Sequence, residues 1–200
     1  KVEDFLIKDV KKDKLYNFLR DMEFNRLLSQ AISFYGESDK KIEKKDFGKN
    51  KINLKNYETI CTEKQLKKWT AVLSEQKLIS VDTETSSLNP LEADLVGVSF
   101  CYENGKACYI PLKNKKEKCL DPALVLNEIC KVLEDKSIKK IGQNIKFDYI
   151  IFKRNNIKLN SIEDTMLASY TLDAGLNRHN LDILSEIHLG HKTISFKDLV

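Results

Sequence analysis

The sequence predicts an α/β protein in which helices pack against a mixed β-sheet. Three β-type segments come in succession, "KLISVDTET", "DLVGVSFCY" and "KACYIPL". A fourth, "IKKIGQN", follows a helical pattern, and apolar helical segments fill most of what remains. With 200 residues, 42% of them hydrophobic, the chain can bury one substantial core.

The N-terminal part of the chain predicts a helical segment followed by a linker. Within residues 1–35, Leu15, Phe18 and Met22 recur at three- and four-residue spacing, which is typical of one or two amphipathic helices. Residues 36–53, "GESDKKIEKKDFGKNKIN", are polar and lysine-rich, which predicts a linker. A compact domain is therefore expected over residues 54–200.

Local signals define the first half of this domain. "NYETI" predicts a short strand. Thr62 followed by Gln65 predicts a capping box at the start of the helix "LKKWTAVL". Asn104-Gly105, between the second and third β-type segments, is a strong hairpin signal, so these three segments are expected to form an antiparallel sheet.

The second half of the domain predicts helices around one more strand. Asp121-Pro122 opens a helix that runs to about Asp135, because proline fits the first helical position. "IKKIGQN" predicts a strand, "IKFDYIIFKRN" a helix that is apolar on nearly every side, and "SIEDTMLASYTL" and "NLDILSEIHL" two further helices. This order matches the ribonuclease H-like plan: a mixed sheet with flanking helices.

Composition narrows the function classes. The five cysteines contain no C-x-x-C pair, which argues against a zinc ribbon or a disulfide framework and favours free, mostly buried thiols. No apolar run is long enough to span a bilayer and no secretory signal is visible, so a cytoplasmic protein without membrane association is expected. The net charge of +4 is compatible with a polyanionic partner, but an ordinary lysine-rich, solvated surface is the favoured explanation.

Two carboxylates stand at the end of the first long strand, in "VDTETSSLNP". Side chains alternate along a strand, so Asp82 and Glu84 are expected to share one face. Their repulsion is unfavourable unless a cation lies between them, and Mg²⁺ takes oxygen ligands of this kind. The alternative interpretation is an acidic, solvated turn.

A third carboxylate, Asp148, lies in an apolar helical segment and is expected to be at least partly buried. A buried carboxylate needs a partner. The alternatives are a salt bridge to Lys146 or Lys153, a favourable position in the first helical turn, or metal binding. Together with Asp82 and Glu84, Asp148 gives the acids of a two-metal phosphoryl-transfer site.

Several segments resemble a known family: "ISVDTETSSLNP", "LVGVSF", "CYIPL", "IGQNIKFDYIIF" and "DTMLASYTLDAGLNRHNLDIL". They are similar to the 3'–5' proofreading exonuclease domain of the bacterial DNA polymerase I family (family A), which belongs to the DEDD exonucleases. The similarity extends from about Asn53 to Val200. "LYNFLRDMEFNRLL" resembles the end of the 5' nuclease domain that precedes it in this family.

The resemblance implies a metal-dependent nuclease. Asp82, Glu84 and Asp148 would bind two divalent ions, Mg²⁺ or Mn²⁺, and hydrolyse 3'-terminal phosphodiesters of single-stranded or frayed DNA. Thr85 and Leu88 would hold the terminal nucleotide, with Leu88 against its base. The other expected DNA contacts are Gln143, Asn144, Lys146 and Arg178, although Lys146 and Arg178 can also be ordinary surface cations.

The sequence departs from the family pattern near its end. The last motif of the family, Tyr-x-x-x-Asp, supplies the fourth acid and a tyrosine that orients water; here the last tyrosine is Tyr170, and Asp173 follows at the wrong spacing. Phe147 stands where the family usually has a tyrosine. The chain is therefore expected to be a fragment truncated before that motif, with weak or no activity.

The resemblance also implies a setting. A monomer is expected, joined in the parent protein to a polymerase domain and acting in DNA replication and repair. The rival hypothesis is an exonuclease-like scaffold that binds DNA without hydrolysing it.

Overall fold

The chain divides into two compact units, Lys1–Asp46 and Phe47–Val200, in a computed structural model that describes residues 6, 9–37, 56–113, 119–175 and 177–194. Apart from Gly36 and Glu37, the predicted linker 36–53 lies outside the described residues, so the linker remains a prediction.

The first unit contains two helices, α1 (Lys12–Asp21) and α2 (Asn25–Tyr35). The predicted amphipathic pattern therefore forms a helical pair, and Tyr16 and Leu19 of α1 are buried. The Tyr16 hydroxyl donates to the carbonyl oxygen of Gly36 at 2.5 Å, which ties α1 to the residue after α2.

The second unit contains a six-stranded mixed sheet. Its strands are β1 (Tyr57–Thr59), β2 (Leu78–Thr85), β3 (Leu95–Glu103), β4 (Lys106–Pro111), β5 (Lys139–Gly142) and β6 (Ile162–Asp164). Their order across the sheet is β1-β4-β3-β2-β5-β6. Strands β2, β3 and β4 pair antiparallel, as the hairpin signal predicts, whereas β1, β5 and β6 pair parallel to their neighbours.

Five helices accompany the described sheet. They are α3 (Glu63–Ser74), α4 (Pro122–Glu134), α5 (Lys146–Arg154), α6 (Thr165–Leu172) and α7 (Leu181–Leu189). The predicted capping box of α3 is confirmed: the Gln65 amide donates to Thr62 Oγ1 at 3.3 Å, and Gln65 Oε1 accepts from the Thr62 amide at 3.1 Å. Asp121 caps α4, with Pro122 at its first position.

One boundary prediction is wrong. "SIEDTMLASYTL" was expected to be helical throughout, but Ile162–Asp164 form β6 and α6 begins at Thr165. The residues of β6 pair with Lys140, Ile141 and Gly142 of β5. This strand depends on a partner more than 20 residues earlier in the chain, which a local helical pattern does not reveal.

The core lies on one face of the sheet. Along β2, burial alternates so that Ile79, Val81 and Thr83 are buried. Helices α3 and α4 contact each other. Their apolar side chains join one cluster with those of the sheet, including Leu66, Leu73, Val125, Ile129, Val98 and Phe100. The opposite face of β2 carries the exposed residues of the same strand, Asp82 and Glu84 among them.

None of the helices in the described residues has the length and apolar character needed to cross a bilayer.

Candidate active site

Strand β2 presents Asp82 and Glu84 on one face near its C-terminal end, as alternation predicts. Asp82 pairs with Ser99 and Glu84 with Gly97 of β3. After Glu84 the register shifts, so that Thr85 pairs with Leu95. The residue that this shift leaves without a partner in β2 is Val96 of β3, and β2 ends at Thr85, directly beyond the two acids.

Helix α5 brings Asp148 to the same edge of the sheet. Strand β5 runs parallel to β2, so their C-terminal ends lie together, and α5 begins four residues after β5 ends. The connecting turn passes through Asn144, which has a left-handed backbone conformation with φ of 54°. Asp148 occupies the first turn of α5, where the helix dipole favours an acid, and is only 3% exposed.

Thr83 is the partner of buried Asp148. Asp148 Oδ1 accepts hydrogen bonds from the Thr83 amide at 2.9 Å and from Thr83 Oγ1 at 2.6 Å. In the part of the chain that the structure describes, Asp148 forms no ion pair with Lys146 or Lys153, so the salt-bridge alternative is not realised there. Two donors on one oxygen are what a buried carboxylate requires.

The negative charges of Asp148 and Glu84 disfavour ionisation of Asp82. Asp82 is open to solvent on one side, yet burial of its carboxylate raises its pKa to about 6, and the charges of Asp148 and Glu84 add to this rise. Burial also raises the pKa of Asp148, the two Thr83 bonds oppose that rise, and the charge of Asp164 reinforces it. A positive charge among these carboxylates would relieve the repulsion.

A groove of about 480 Å³ joins the acids to most of the predicted DNA contacts. Its lining consists of residues from the end of β2, the loop after it and the start of α5: Asp82, Thr83, Glu84, Thr85, Ser86, Ser87, Leu88, Gln143, Asn144, Phe147 and Asp148. Leu88 is 94% exposed at this groove. Lys146 and Arg178, both described and both exposed, are not part of this lining.

The groove does not form a ready three-ligand metal centre. Across residues 6, 9–37, 56–113, 119–175 and 177–194, no three His, Cys, Asp or Glu side chains converge closely enough to hold an ion. The donor chemistry nevertheless fits a hard divalent cation, since Asp82, Glu84 and Asp148 offer only carboxylate oxygens and repel one another.

Three residues that the sequence reasoning missed support this groove. Thr83 donates two hydrogen bonds to Asp148, as described above. Asp164 Oδ1 accepts from the Asn144 amide at 3.0 Å and from the Met166 amide at 2.9 Å, so it caps α6 and fixes the turn before α5. Thr165 Oγ1 donates to Gln143 Oε1 at 2.6 Å. An aspartate preceding a helical pattern is a recognisable N-cap signal, whereas the two threonine contacts are non-local.

Gln143, one of the predicted DNA contacts, also has hydrogen-bond partners within the protein. It lines the groove, but its Nε2 donates to the His179 carbonyl oxygen at 2.7 Å while its Oε1 accepts from Thr165. Both ends of the amide are therefore engaged within the protein. Thr85 also has an internal partner, because its hydroxyl donates to the Ser87 carbonyl oxygen at 3.0 Å.

Comparisons with known proteins bear on this groove. A family model described as "3'-5' exonuclease" matches residues 57–200. DNA polymerase I of Rhizobium leguminosarum is 39% identical over 163 residues, covering 72% of this chain and 16% of that protein. DNA polymerase I of Pseudomonas aeruginosa is 32% identical over 207 residues, covering 96% of this chain and 22% of that protein. The chain thus spans about a fifth or less of the length of these relatives.

Solved structures share the fold at low sequence identity. Brucella melitensis NrnC superposes with a TM-score of 0.55 at 20% identity, covering 70% of this chain and 62% of that chain. The catalytic core of RRP6 from Trypanosoma brucei gives a TM-score of 0.59 at 15% identity, covering 71% and 37%. These similarities confirm the predicted ribonuclease H-like α/β class.

Two findings establish the family of this chain. The family model matches more than half of the chain, and the relatives described above are DNA polymerase I proteins. The chain belongs to the 3'–5' exonuclease family found in bacterial DNA polymerase I.

Proposed function

We propose that residues 57–200 hydrolyse the 3'-terminal phosphodiester of single-stranded or frayed DNA with the help of two divalent ions, Mg²⁺ or Mn²⁺. The observation that supports this most directly is the groove itself. It combines three carboxylates, Asp82, Glu84 and Asp148, with the exposed apolar side chain of Leu88. An unstacked base can lie on an apolar side chain while its phosphodiester meets the acids.

Asp82, Glu84 and Asp148 are the residues that would hold the ions. Both Thr83 bonds go to Oδ1 of Asp148, so Oδ2 is the oxygen we assign to a ligand. Bound ions of this type lower the pKa of water and neutralise charge that develops on phosphate. Brucella melitensis NrnC, which has a related fold, has been solved with bound Mg²⁺, which is compatible with this assignment.

The surrounding residues would orient the substrate. Leu88 contacts the terminal base, and Asn144 faces the sugar-phosphate from the turn that Asp164 fixes. Thr85, Gln143, Lys146 and Arg178 complete the proposed substrate contacts. Gln143 would make its contact from the groove wall, where its amide is held by Thr165 and His179. Lys146 and Arg178 would attract the strand from outside the groove lining.

The relatives indicate the kind of protein in which this domain works. Because they are DNA polymerase I proteins of which the chain spans about a fifth or less, we propose that this domain works beside a polymerase domain in the same polypeptide. Removal of misincorporated nucleotides during replication and repair would then be its role, in the cytoplasm. The Tyr-x-x-x-Asp motif is absent from residues 57–200, so we expect hydrolysis by the 200-residue chain to be slow.

A second candidate is a domain that binds DNA without cutting it. The absence of a three-ligand cluster among the described residues favours this alternative. It predicts that single-stranded DNA binds and remains intact in the presence of metal.

One experiment separates the two candidates. A 5'-labelled single-stranded oligonucleotide is incubated at high enzyme concentration with Mg²⁺, Mn²⁺ or EDTA, and products are resolved at single-nucleotide resolution. We expect stepwise shortening from the 3' end with either metal and none in EDTA. Asp82→Ala should slow it by about 100-fold or more, the scale of losing one charged contact in a transition state.

The matched control is Glu75→Gln, which removes an exposed acid outside the groove and should leave the rate unchanged. Undiminished shortening by Asp82→Ala would overturn the hydrolytic assignment. Tight binding without shortening in either metal would favour the scaffold.

A further inference from the structure

The loop between β2 and β3 has a defined backbone. Residues 86–94, "SSLNPLEAD", are closed at their base by Ser86 and Asp94: the Ser86 amide donates to the Asp94 carbonyl oxygen at 3.0 Å, and the Asp94 amide donates to Ser86 Oγ at 2.9 Å. Inside the loop, the carbonyl oxygen of Asn89 accepts from the Glu92 amide at 3.1 Å and from the Ala93 amide at 2.9 Å.

This loop exposes two leucines while burying an alanine. Leu88 is 94% exposed and Leu91 is 70% exposed, whereas Ala93 is 2% exposed. A leucine side chain this exposed is not held in place by packing, so its location depends on the backbone of the loop. Whatever fixes that backbone also fixes the apolar contact that Leu88 offers at the groove.

Arg154 contacts this loop from another element. It is the last residue of α5, and its Nη1 donates to the Pro90 carbonyl oxygen at 3.0 Å and to the Ala93 carbonyl oxygen at 2.5 Å. These carbonyls flank the turn that follows Leu88. Both bonds come from the same guanidinium nitrogen, which carries two N–H donors and can therefore serve two acceptors.

Helix α5 therefore lines the groove with its first turn and contacts the loop that bears Leu88 with its last residue. Asp148 lies in its first turn and Arg154 at its last residue. They are six positions apart, a rise of about 9 Å along the helix axis. One rigid helix thus carries Asp148 and also holds the loop that bears Leu88.

We propose that Arg154 is a positioning residue for substrate. It fixes the loop so that Leu88 meets the terminal base while the adjoining phosphodiester reaches Asp82, Glu84 and Asp148. This inference rests on the proposed function. Its specific content is that Arg154 acts through Leu88 and does not itself contact phosphate.

A double-mutant cycle tests this coupling. Binding of a single-stranded oligonucleotide with 2-aminopurine at its 3' end is measured in EDTA, so that no hydrolysis is needed. Arg154→Ala and Leu88→Ala are each expected to weaken binding about tenfold, within the range for losing one base contact. The double variant should bind no more weakly than Leu88→Ala alone, because the two changes remove the same contact.

Two controls exclude simpler explanations. Lys153→Ala removes the neighbouring exposed cation of α5 and should leave binding unchanged. The salt dependence of binding should be the same for Arg154→Ala and the unaltered chain, since a lost phosphate contact would reduce the slope by about one. Amide hydrogen exchange should accelerate at Glu92 and Ala93 in Arg154→Ala while the core amides of β2 stay protected.

Additive losses in the cycle, a reduced salt slope, or absence of single-stranded DNA binding by the unaltered chain would each overturn the proposal. If Arg154→Ala does not fold, Arg154→Lys takes its place, since a lysine keeps a charged donor but reaches one bond less far than the Nη1 that makes both contacts. Arg154→Lys should then weaken oligonucleotide binding by a smaller factor. Combined with Leu88→Ala, it should weaken binding no more than Leu88→Ala alone. Because binding is measured without metal, these outcomes are independent of whether Asp82→Ala abolishes hydrolysis.

Discussion

At the scale of single residues, the site is organised by the neighbours of its carboxylates. Thr83 lies between Asp82 and Glu84 in sequence, but its side chain points to the opposite, buried face of β2. From there it gives both its amide and its hydroxyl to Asp148, which lies 65 residues later. The exposed residues of β2 thus present two acids to solvent, while buried Thr83 of the same strand holds the third acid, Asp148, by hydrogen bonds.

Thr83→Val should destabilise the domain, because valine keeps the shape of threonine but leaves Asp148 Oδ1 with the amide donor alone. The expected loss in the free energy of unfolding is about 1–3 kcal/mol, the range for an under-satisfied buried polar group. Urea unfolding followed by circular dichroism measures it. Thr83→Ser, which retains the hydroxyl, should lose clearly less; equal losses for both variants would contradict the role of the hydrogen bond.

At the scale of elements, β3 and β4 shape the sheet beside the acids. Gly97 pairs with Glu84, and Ser99 pairs with both Asp82 and Tyr109. A Cβ at Gly97 would overlap the Tyr109 hydroxyl and ring carbons, so the tyrosine ring occupies the space that a side chain would take. The glycine is required here for close approach of the Tyr109 ring, and its backbone pairs with a neighbouring strand on each side.

Gly97→Ala should therefore displace Tyr109 and lower the free energy of unfolding by about 1–3 kcal/mol, the usual cost of overpacking. The measurement is again urea unfolding. In a Tyr109→Ala background the same change should cost much less, because the overlapping ring is gone. Ser99→Ala, on the same strand and face, serves as the control and should change stability little. A Gly97→Ala penalty that persists without the tyrosine would show that strand propensity alone is responsible.

At the scale of the whole molecule, the second compact unit has one core, which joins its sheet to the helices packed on it. All five cysteines are described and none forms a disulfide, as the sequence predicts, but the prediction that most of them are buried is wrong. Cys108 alone is buried in the core, and the other four are half-buried, with Cys130 packed against the core. Burial raises the pKa of the Cys108 thiol to about 12. Its reactive thiolate is thus suppressed by the same packing that stabilises the domain.

Thiol labelling at pH 8 should consequently distinguish Cys108 from the other cysteines. We expect Cys61 and Cys101, which are half-buried, to react with a maleimide in the native protein, whereas Cys108 should react only through unfolding. Peptide mass spectrometry at increasing urea concentration measures the order. Labelling of Cys108 that precedes the loss of circular dichroism would indicate a local opening of β4 instead.

The sequence predicts features that depend on neighbours in the chain. Alternation identifies the shared face of Asp82 and Glu84, the capping box locates α3, and Asn104-Gly105 locates the hairpin. It does not predict β6, the Thr83 bonds to Asp148, or the engagement of Gln143 by His179, because each joins segments 20 or more residues apart. Pairing register and side-chain partners are settled only when the sheet assembles.

The geometry of α5 implies a constraint on insertions and deletions. Adding one residue between Asp148 and Arg154 would rotate the arginine by about 100° around the helix axis and shift it by about 1.5 Å, away from the carbonyls of Pro90 and Ala93. Substitutions on the exposed side of this helix change neither quantity. In homologous proteins the length of this segment should therefore vary less than its exposed residues, and an indel here should be compensated in the length of the β2–β3 loop.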